Sequence, residues 1–172
     1  HGTLIASGGS DNRVVVTDRR TAKPAATLTL HSSQVCGLAF NPTGLSLASG
    51  GNDNAVHVID IRTMTAALSY THDGAVKALA FDPRRENVLA SGGGVADQRI
   101  RVTNVRTQEV WANVKTNSQV TGLVWCPGEL MACYGFPGNS LAFFNTESWV
   151  CTGEFDGHSN RILNVATTDD GM

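Results

Sequence analysis

Apolar and polar residues alternate along this chain in short runs, and each run stops at a cluster of Gly, Asn, Asp or Pro. Val35–Phe40 ends at Asn41-Pro42-Thr43-Gly44, and Ser46–Ser49, Val56–Asp60 and Ala66–Tyr70 follow in order. The same order returns in Val76–Phe81, Val88–Ser91, Ile100–Asn104 and Val110–Val114. It returns again in Val120–Trp125, Leu130–Cys133, Leu141–Asn145 and Trp149–Phe155. Period-two runs separated by turn residues predict antiparallel β-hairpins. No segment carries the 3.6-residue periodicity of an amphipathic helix.

The runs are copies of one unit. Leu4-Ile-Ala-Ser-Gly-Gly-Ser-Asp-Asn12, Leu47-Ala-Ser-Gly-Gly-Asn-Asp-Asn54 and Leu89-Ala-Ser-Gly-Gly-Gly94 align, and Met131-Ala-Cys-Tyr-Gly135 is a weaker fourth copy. Their alanines, Ala6, Ala48, Ala90 and Ala132, stand 42 residues apart each time. Four strands in roughly 40–45 residues is the period of a β-propeller blade. The expected fold is therefore an all-β propeller, with blade pieces at about 1–30, 31–71, 72–115, 116–156 and 157–172 and a last strand at Ile162–Thr167. The 172 residues amount to four blades' worth, too few for the ring such curvature closes. The chain opens on His1 and stops at Asp169-Asp170-Gly171, where another hairpin should follow, so an excerpt of a longer chain is expected.

Composition agrees with this reading. Charged residues are 16% of the chain against the usual quarter or so, and there are 18 glycines, as a turn-rich β protein requires. Thirteen Lys+Arg against 15 Asp+Glu give a formal charge of −2, which argues against a sequence-independent nucleic-acid binder. No apolar run reaches the roughly 18–20 residues of a membrane-spanning helix, and no signal-peptide pattern follows His1. Cys36, Cys126, Cys133 and Cys151 form no CxxC pair, so neither a metal site nor a disulfide framework is expected; they read as buried thiols in a reducing compartment. Arg84-Arg85-Glu86 reads as a solvated hairpin loop. Trp111, Trp125 and Trp149 read as blade packing rather than a base-stacking platform, since no basic stripe accompanies them. Gly8, Gly9, Gly50 and Gly51 read as turn residues with positive φ.

His31, Ser49 and Asp53 fall at the same places in one repeat as His72, Ser91 and Asp97 in the next, and His158 opens another. In this the chain resembles the WD-repeat family, whose blades tie a His, a Ser, an Asp and a third-strand Trp into one hydrogen-bonded set. The Trp-Asp dipeptide itself reads Thr17-Asp18, Ile59-Asp60, Thr103-Asn104 and Phe144-Asn145. Each set is thus expected to lack its indole donor. A hydrolase triad from His72, Ser91 and Asp97 is the competing interpretation, but no GxSxG elbow exists and the set recurs at blade period. The Gly-Gly pairs match neither GxxxxGK[ST] nor GxGxxG before a helix. No catalytic residue and no cofactor are expected.

A narrower resemblance lies in Ser33-Gln-Val-Cys-Gly-Leu-Ala-Phe40, Leu47–Asn54, Ala75-Val-Lys-Ala-Leu-Ala-Phe81 and Leu89–Gly94 with Ala96-Asp97, taken in that order. Ile100-Arg101, Ser118-Gln-Val120 and Gly157-His158 with Arg161-Ile-Leu163 complete it. Over about residues 30–170 these are similar to the Fizzy and Fizzy-related proteins, co-activators of the anaphase-promoting complex. The resemblance implies a seven-bladed propeller that captures degradation motifs for a ubiquitin ligase. It also implies partners among ligase subunits, degron-bearing substrates and checkpoint inhibitors, and residence in nucleus and cytoplasm. The family's pocket for the Lys-Glu-Asn (KEN) motif carries over onto Asn52, Asn54, Gln119 and Arg161, while its Thr contributor falls on Val95. No residue carries over for the destruction-box groove, whose blades lie mostly outside this stretch, as a C-box and a C-terminal Ile-Arg tail should.

The residues reach the same face by themselves. Gln34, Ala75, Gln119 and Arg161 each precede a first strand, and the turn holding Asn52 and Asn54 opens at that end of its blade. Amides there can bond an extended peptide, and Arg161 can take a carboxylate. Ordinary turn chemistry for the two asparagines and a solvated charge for Arg161 are the plainer alternatives. A generic WD-repeat scaffold, in RNA processing or trafficking, is the competing function.

Overall fold

Fifteen strands, all paired antiparallel, make up the regular structure of the described residues, 3–166, in the computed structural model. In chain order they are β1 Leu4–Gly8, β2 Val14–Asp18, β3 Lys23–Leu28, β4 Val35–Phe40, β5 Ser46–Gly51, β6 Ala55–Asp60, β7 Thr65–Thr71 and β8 Val76–Phe81. There follow β9 Val88–Gly93, β10 Arg99–Asn104, β11 Glu109–Lys115, β12 Val120–Cys126, β13 Glu129–Tyr134, β14 Leu141–Asn145 and β15 Cys151–Phe155. They form one three-stranded sheet, β1-β2-β3, and three four-stranded meanders, β4 to β7, β8 to β11 and β12 to β15. This is the all-β propeller architecture, about four blades of it. Within the expected last strand, residues 162–166 have no strand pairing, and Thr167 lies outside the described residues. Trp149 stands before β15 with φ 57°, in a turn rather than on the strand expected for it.

The core lies between the blades. Val14, Val16, Leu47 and Ile59 fill the seam of the first two sheets, and Ala48, Val56, Val58, Val76 and Leu89 fill the next. Ala90, Ile100, Val102, Val120, Leu130, Ala132 and Phe144 fill the third. A fully buried Val or Leu of this kind contributes roughly 1.5–3 kcal/mol, so each sheet depends on its neighbour for most of its stability. The middle strands explain why: β5 and β9 are buried along nearly their whole length, as a strand covered on both faces must be.

The paired glycines work differently from expectation. Of the described glycines only Gly44 and Gly128 have positive φ, at 71° and 79°. Gly8, Gly50 and Gly92 are strand residues pressed against the first valine of the following sheet. A Cβ on Gly50 would lie 2.6 Å from the Val76 carbonyl oxygen, and one on Gly8 2.8 Å from Val35 Cβ. Gly92 meets Val120 in the same way. The repeat needs glycine there for close approach between blades, not for turn geometry. Gly9 and Gly51 are likewise short of room, beside the Asp11 and Asp53 carboxylates.

Two further expectations change in three dimensions. Cys133 alone of the four cysteines is buried; Cys36 and Cys126 are half-buried and Cys151 is exposed. The Arg84-Arg85-Glu86 loop is exposed at all three residues, yet the Arg85 guanidinium also lies against two indoles, 5.5 Å from the Trp111 ring centre and 5.6 Å from that of Trp125. Its Nε donates to Asp82 at 2.5 Å, and Trp125 Nε1 donates to the Ala80 carbonyl at 3.0 Å, tying β12 to β8.

Candidate functional site

Two buried networks fix the end of the sheets where the candidate residues lie. In the second sheet, His31 Nδ1 bonds Asp53 at 2.9 Å and Nε2 bonds the Ser49 hydroxyl at 3.0 Å. Asp53 also accepts from the backbone amides of Ser32 at 2.8 Å and Ala55 at 3.2 Å. Burial alone would raise the Asp53 carboxyl, but the His31 bond and those amides outweigh it and hold it low. In the third sheet, His72 Nδ1 bonds Asp97 at 2.8 Å and Nε2 bonds Ser91 at 2.9 Å. Here burial dominates over the pull of Asp97 and keeps His72 below the usual histidine range, so the imidazole is neutral. The missing indole is partly replaced: Tyr70, on the preceding sheet, donates its hydroxyl to Ser91 at 3.0 Å. That donor comes from β7 rather than from the third strand, so the family spacing does not reveal it.

The distances of the His72 set match those of a Ser-His-Asp triad. Ser91 is nevertheless fully buried and already bonded to both Tyr70 and His72, which leaves its hydroxyl no route to a substrate. The set acts as a clamp that joins the turn before one strand to the turn after another.

At this end of the sheets the candidate residues form two pairs. Asn52 is exposed on the β5–β6 turn; its backbone N–H donates to the Gln34 carbonyl at 2.9 Å, and its side-chain Oδ1 accepts from the Cys36 thiol at 3.1 Å. Asn54 is half-buried with φ 67°, and its carbonyl accepts from the His72 amide at 2.9 Å. It is therefore a left-handed turn residue that also binds the next blade, as the turn-chemistry alternative requires. Gln119 and Arg161 both crowd Gly135, where an added Cβ would lie 2.7 Å from Gln119 Oε1 and 3.3 Å from Arg161 Cβ. The corresponding glycine of the second sheet, Gly51, makes room for His31 and Asp53 instead. In the fourth sheet Thr116 and Cys133 stand where the other sheets carry the His and Ser, and the space goes to Gln119 and Arg161. The third sheet, between the two pairs, contributes Ala75 and the exposed Val95. Lys77, also at this end, donates to the Leu163 carbonyl at 3.1 Å, a contact the sequence did not announce.

The face thus presents carboxamides, one guanidinium and exposed backbone, donors and acceptors suited to peptide. At the opposite end a cleft of about 610 Å³ runs between the third and fourth sheets, lined by Asp82, Arg84, Arg85, Trp125, Pro127 and Glu147. It contains none of the candidate residues.

These features define a β-propeller of the WD-repeat class. Residues 1–146 match the family model described as the Nucleolar protein 10-like, N-terminal domain, a β-propeller. Within that class, the chain belongs to the Fizzy and Fizzy-related propellers. It is 36% identical to the APC/C activator protein CDH1 of Saccharomyces cerevisiae over 98% of the chain and 30% of that protein. It is 40% identical to the WD repeat-containing protein slp1 of Schizosaccharomyces pombe, over 98% of the chain and 36% of that protein. Protein FIZZY-RELATED 1 of Arabidopsis thaliana is 36% identical over 99% of the chain and 37% of its own length. The chain spans about a third of the length of these relatives. Among solved structures, a crystal structure of the mitotic checkpoint complex contains a chain with TM-score 0.95 and 38% identity, covering 99% of this chain and 54% of that one.

Proposed function

We propose that this chain is part of a substrate-capturing co-activator of the anaphase-promoting complex, and that it holds a KEN-type motif on the face bearing Asn52, Asn54, Gln119 and Arg161. The observation that supports the reading is that Gln119 and Arg161 both approach Gly135, on a chain with a relative named as an activator of that ligase. Arg161 is exposed and takes the glutamate carboxylate in a charge-assisted pair. The Gln119 and Asn52 carboxamides bond the asparagine side chain and the extended backbone. Ligase subunits, degron-bearing substrates and checkpoint inhibitors are the partners this role requires, in nucleus and cytoplasm.

A fluorescence-polarisation titration with a labelled KEN peptide tests the site. Arg161→Ala and Gln119→Ala each weaken binding by about tenfold, the loss of one or two hydrogen bonds, one of them charged. A peptide with the motif replaced by Ala-Ala-Ala loses binding altogether. Val95→Thr, which restores the family's hydroxyl, strengthens it. Binding that the two alanine variants leave unchanged removes the site assignment. No binding by the parent chain favours a generic WD-repeat scaffold, the reading to which the match with a nucleolar-protein propeller points.

A further inference from the structure

The His31 network has a neighbour that the His72 network lacks. Across the strand pairing from Ser49 stands His57, whereas Arg101 stands across from Ser91. The His57 ring meets the His31 ring edge-on, with centroids 4.6 Å apart. His57 Nδ1 is bonded to the Ser69 hydroxyl at 2.8 Å, while Nε2 is buried and has no partner in good hydrogen-bond geometry. A buried imidazole nitrogen without a well-formed bond is costly; the Leu30 carbonyl stands close to the His57 ring, and a second imidazole and a carboxylate lie beside it. One donor atom from each of His31, Asp53 and His57 lies within 4.8 Å of the others.

We propose that His31, Asp53 and His57 form a zinc site with three protein ligands and a fourth position for water. Two imidazoles and one carboxylate are a donor set that zinc accepts, with bonds of about 2.0–2.2 Å, so the three groups need to close by about 1 Å. The outer partners are already in place. Ser69 holds His57 Nδ1 and Ser49 holds His31 Nε2, which leaves the other nitrogen of each ring for the metal. On binding, the His31 ring changes tautomer: Nδ1 loses to solvent the proton it shares with Asp53, Nε2 takes one up from solvent and donates to Ser49, and the Nδ1 lone pair goes to the metal. Three bonds to zinc form, the His31–Asp53 hydrogen bond is lost, and no net proton is released. The sequence hides this set because its members, 22 and 4 residues apart, match no ligand spacing. They meet only through the β5–β6 pairing and the loop before β4. Arg101, stacked over Tyr70 at 5.4 Å, leaves no such site in the next sheet.

The test is a titration of the purified chain with zinc chloride against a chromophoric chelator, together with cobalt(II) absorption spectra. The chain takes up one zinc per molecule, and cobalt gives the visible bands of a four-coordinate site without a thiolate charge-transfer band. His57→Gln lowers the zinc affinity by about 100-fold or more, at or beyond the upper end of what losing an outer-sphere partner costs. Should that variant fold poorly, nitrogen-15 spectra of the parent chain decide the matter: one equivalent of zinc moves the His57 Nε2 resonance to the metal-bound position. No zinc uptake, a thiolate band, equal affinity in a folded His57→Gln, or an unmoved Nε2 resonance each overturn the proposal.

Discussion

The second and third sheets carry the same three network residues at nearly the same spacing, yet the two networks are differently finished. In the third sheet Asp97 and His72 are sealed, with side chains 1% and 0% exposed, and Tyr70 supplies an extra donor from the neighbouring blade. In the second sheet Asp53 is 9% exposed, no tyrosine reaches Ser49, and a second histidine stands alongside. A repeated motif therefore sets which groups meet, while the neighbouring blade sets how firmly they are held.

The largest expected effect separates the two by burial. Asp97→Ala leaves the neutral His72 ring unpartnered in a dry site and lowers unfolding free energy by about 2–3 kcal/mol, the loss of a hydrogen bond to a charged group. Asp53→Ala, in the wetter network, costs about 1–2 kcal/mol, roughly the loss of a buried partner that water can partly replace. Urea denaturation of both variants checks the difference, and equal losses would show that burial does not distinguish the sheets. Tyr70→Phe comes next. It removes one buried bond that only the third sheet has, for about 1 kcal/mol, and a variant as stable as the parent would mean that Ser91 is satisfied without it.

The smallest effect is the pH dependence carried by His72. Its folded form resists protonation because of burial, whereas an unfolded histidine takes up a proton near about pH 6.5. The unfolded state thus binds more protons, so this contribution is fully present above that pH and is lost as pH falls below it. Between pH 7.5 and 6.0 the expected loss is under about 1 kcal/mol. A urea midpoint that rises over that interval would reverse the assignment.

Much of the fold is legible in the chain because propeller strands are short, local and repeated. The 42-residue step from Ala6 to Ala132 marks the blade repeat, and apolar alternation places the strands from β4 to β15 to within a residue or two, though not the strand expected at 162–167. The functions of the glycines are not legible, since Gly8, Gly50 and Gly92 answer to a valine of the next blade that lies 26 to 28 residues away in sequence. Arg85 shows the same limit: its two indoles belong to β11 and β12, and a loop motif read locally can only be called solvated. Of the candidate face, the sequence brings the residues before each first strand to one end of the sheets. It does not show that Asn54 is a structural turn residue, or that Gln119 and Arg161 both crowd Gly135.

The sequence by itself determined the strand order, the blade period, the absence of helical patterning and the three network residues of each set, because all of these follow from local alternation and a fixed repeat. Tertiary structure alone decided what each repeat meets: which glycine faces a valine, which network gains a tyrosine and which gains a histidine. Contacts between blades join residues tens of positions apart whose chemistry is unrelated to the repeat, and only the packing of sheet on sheet brings them within reach.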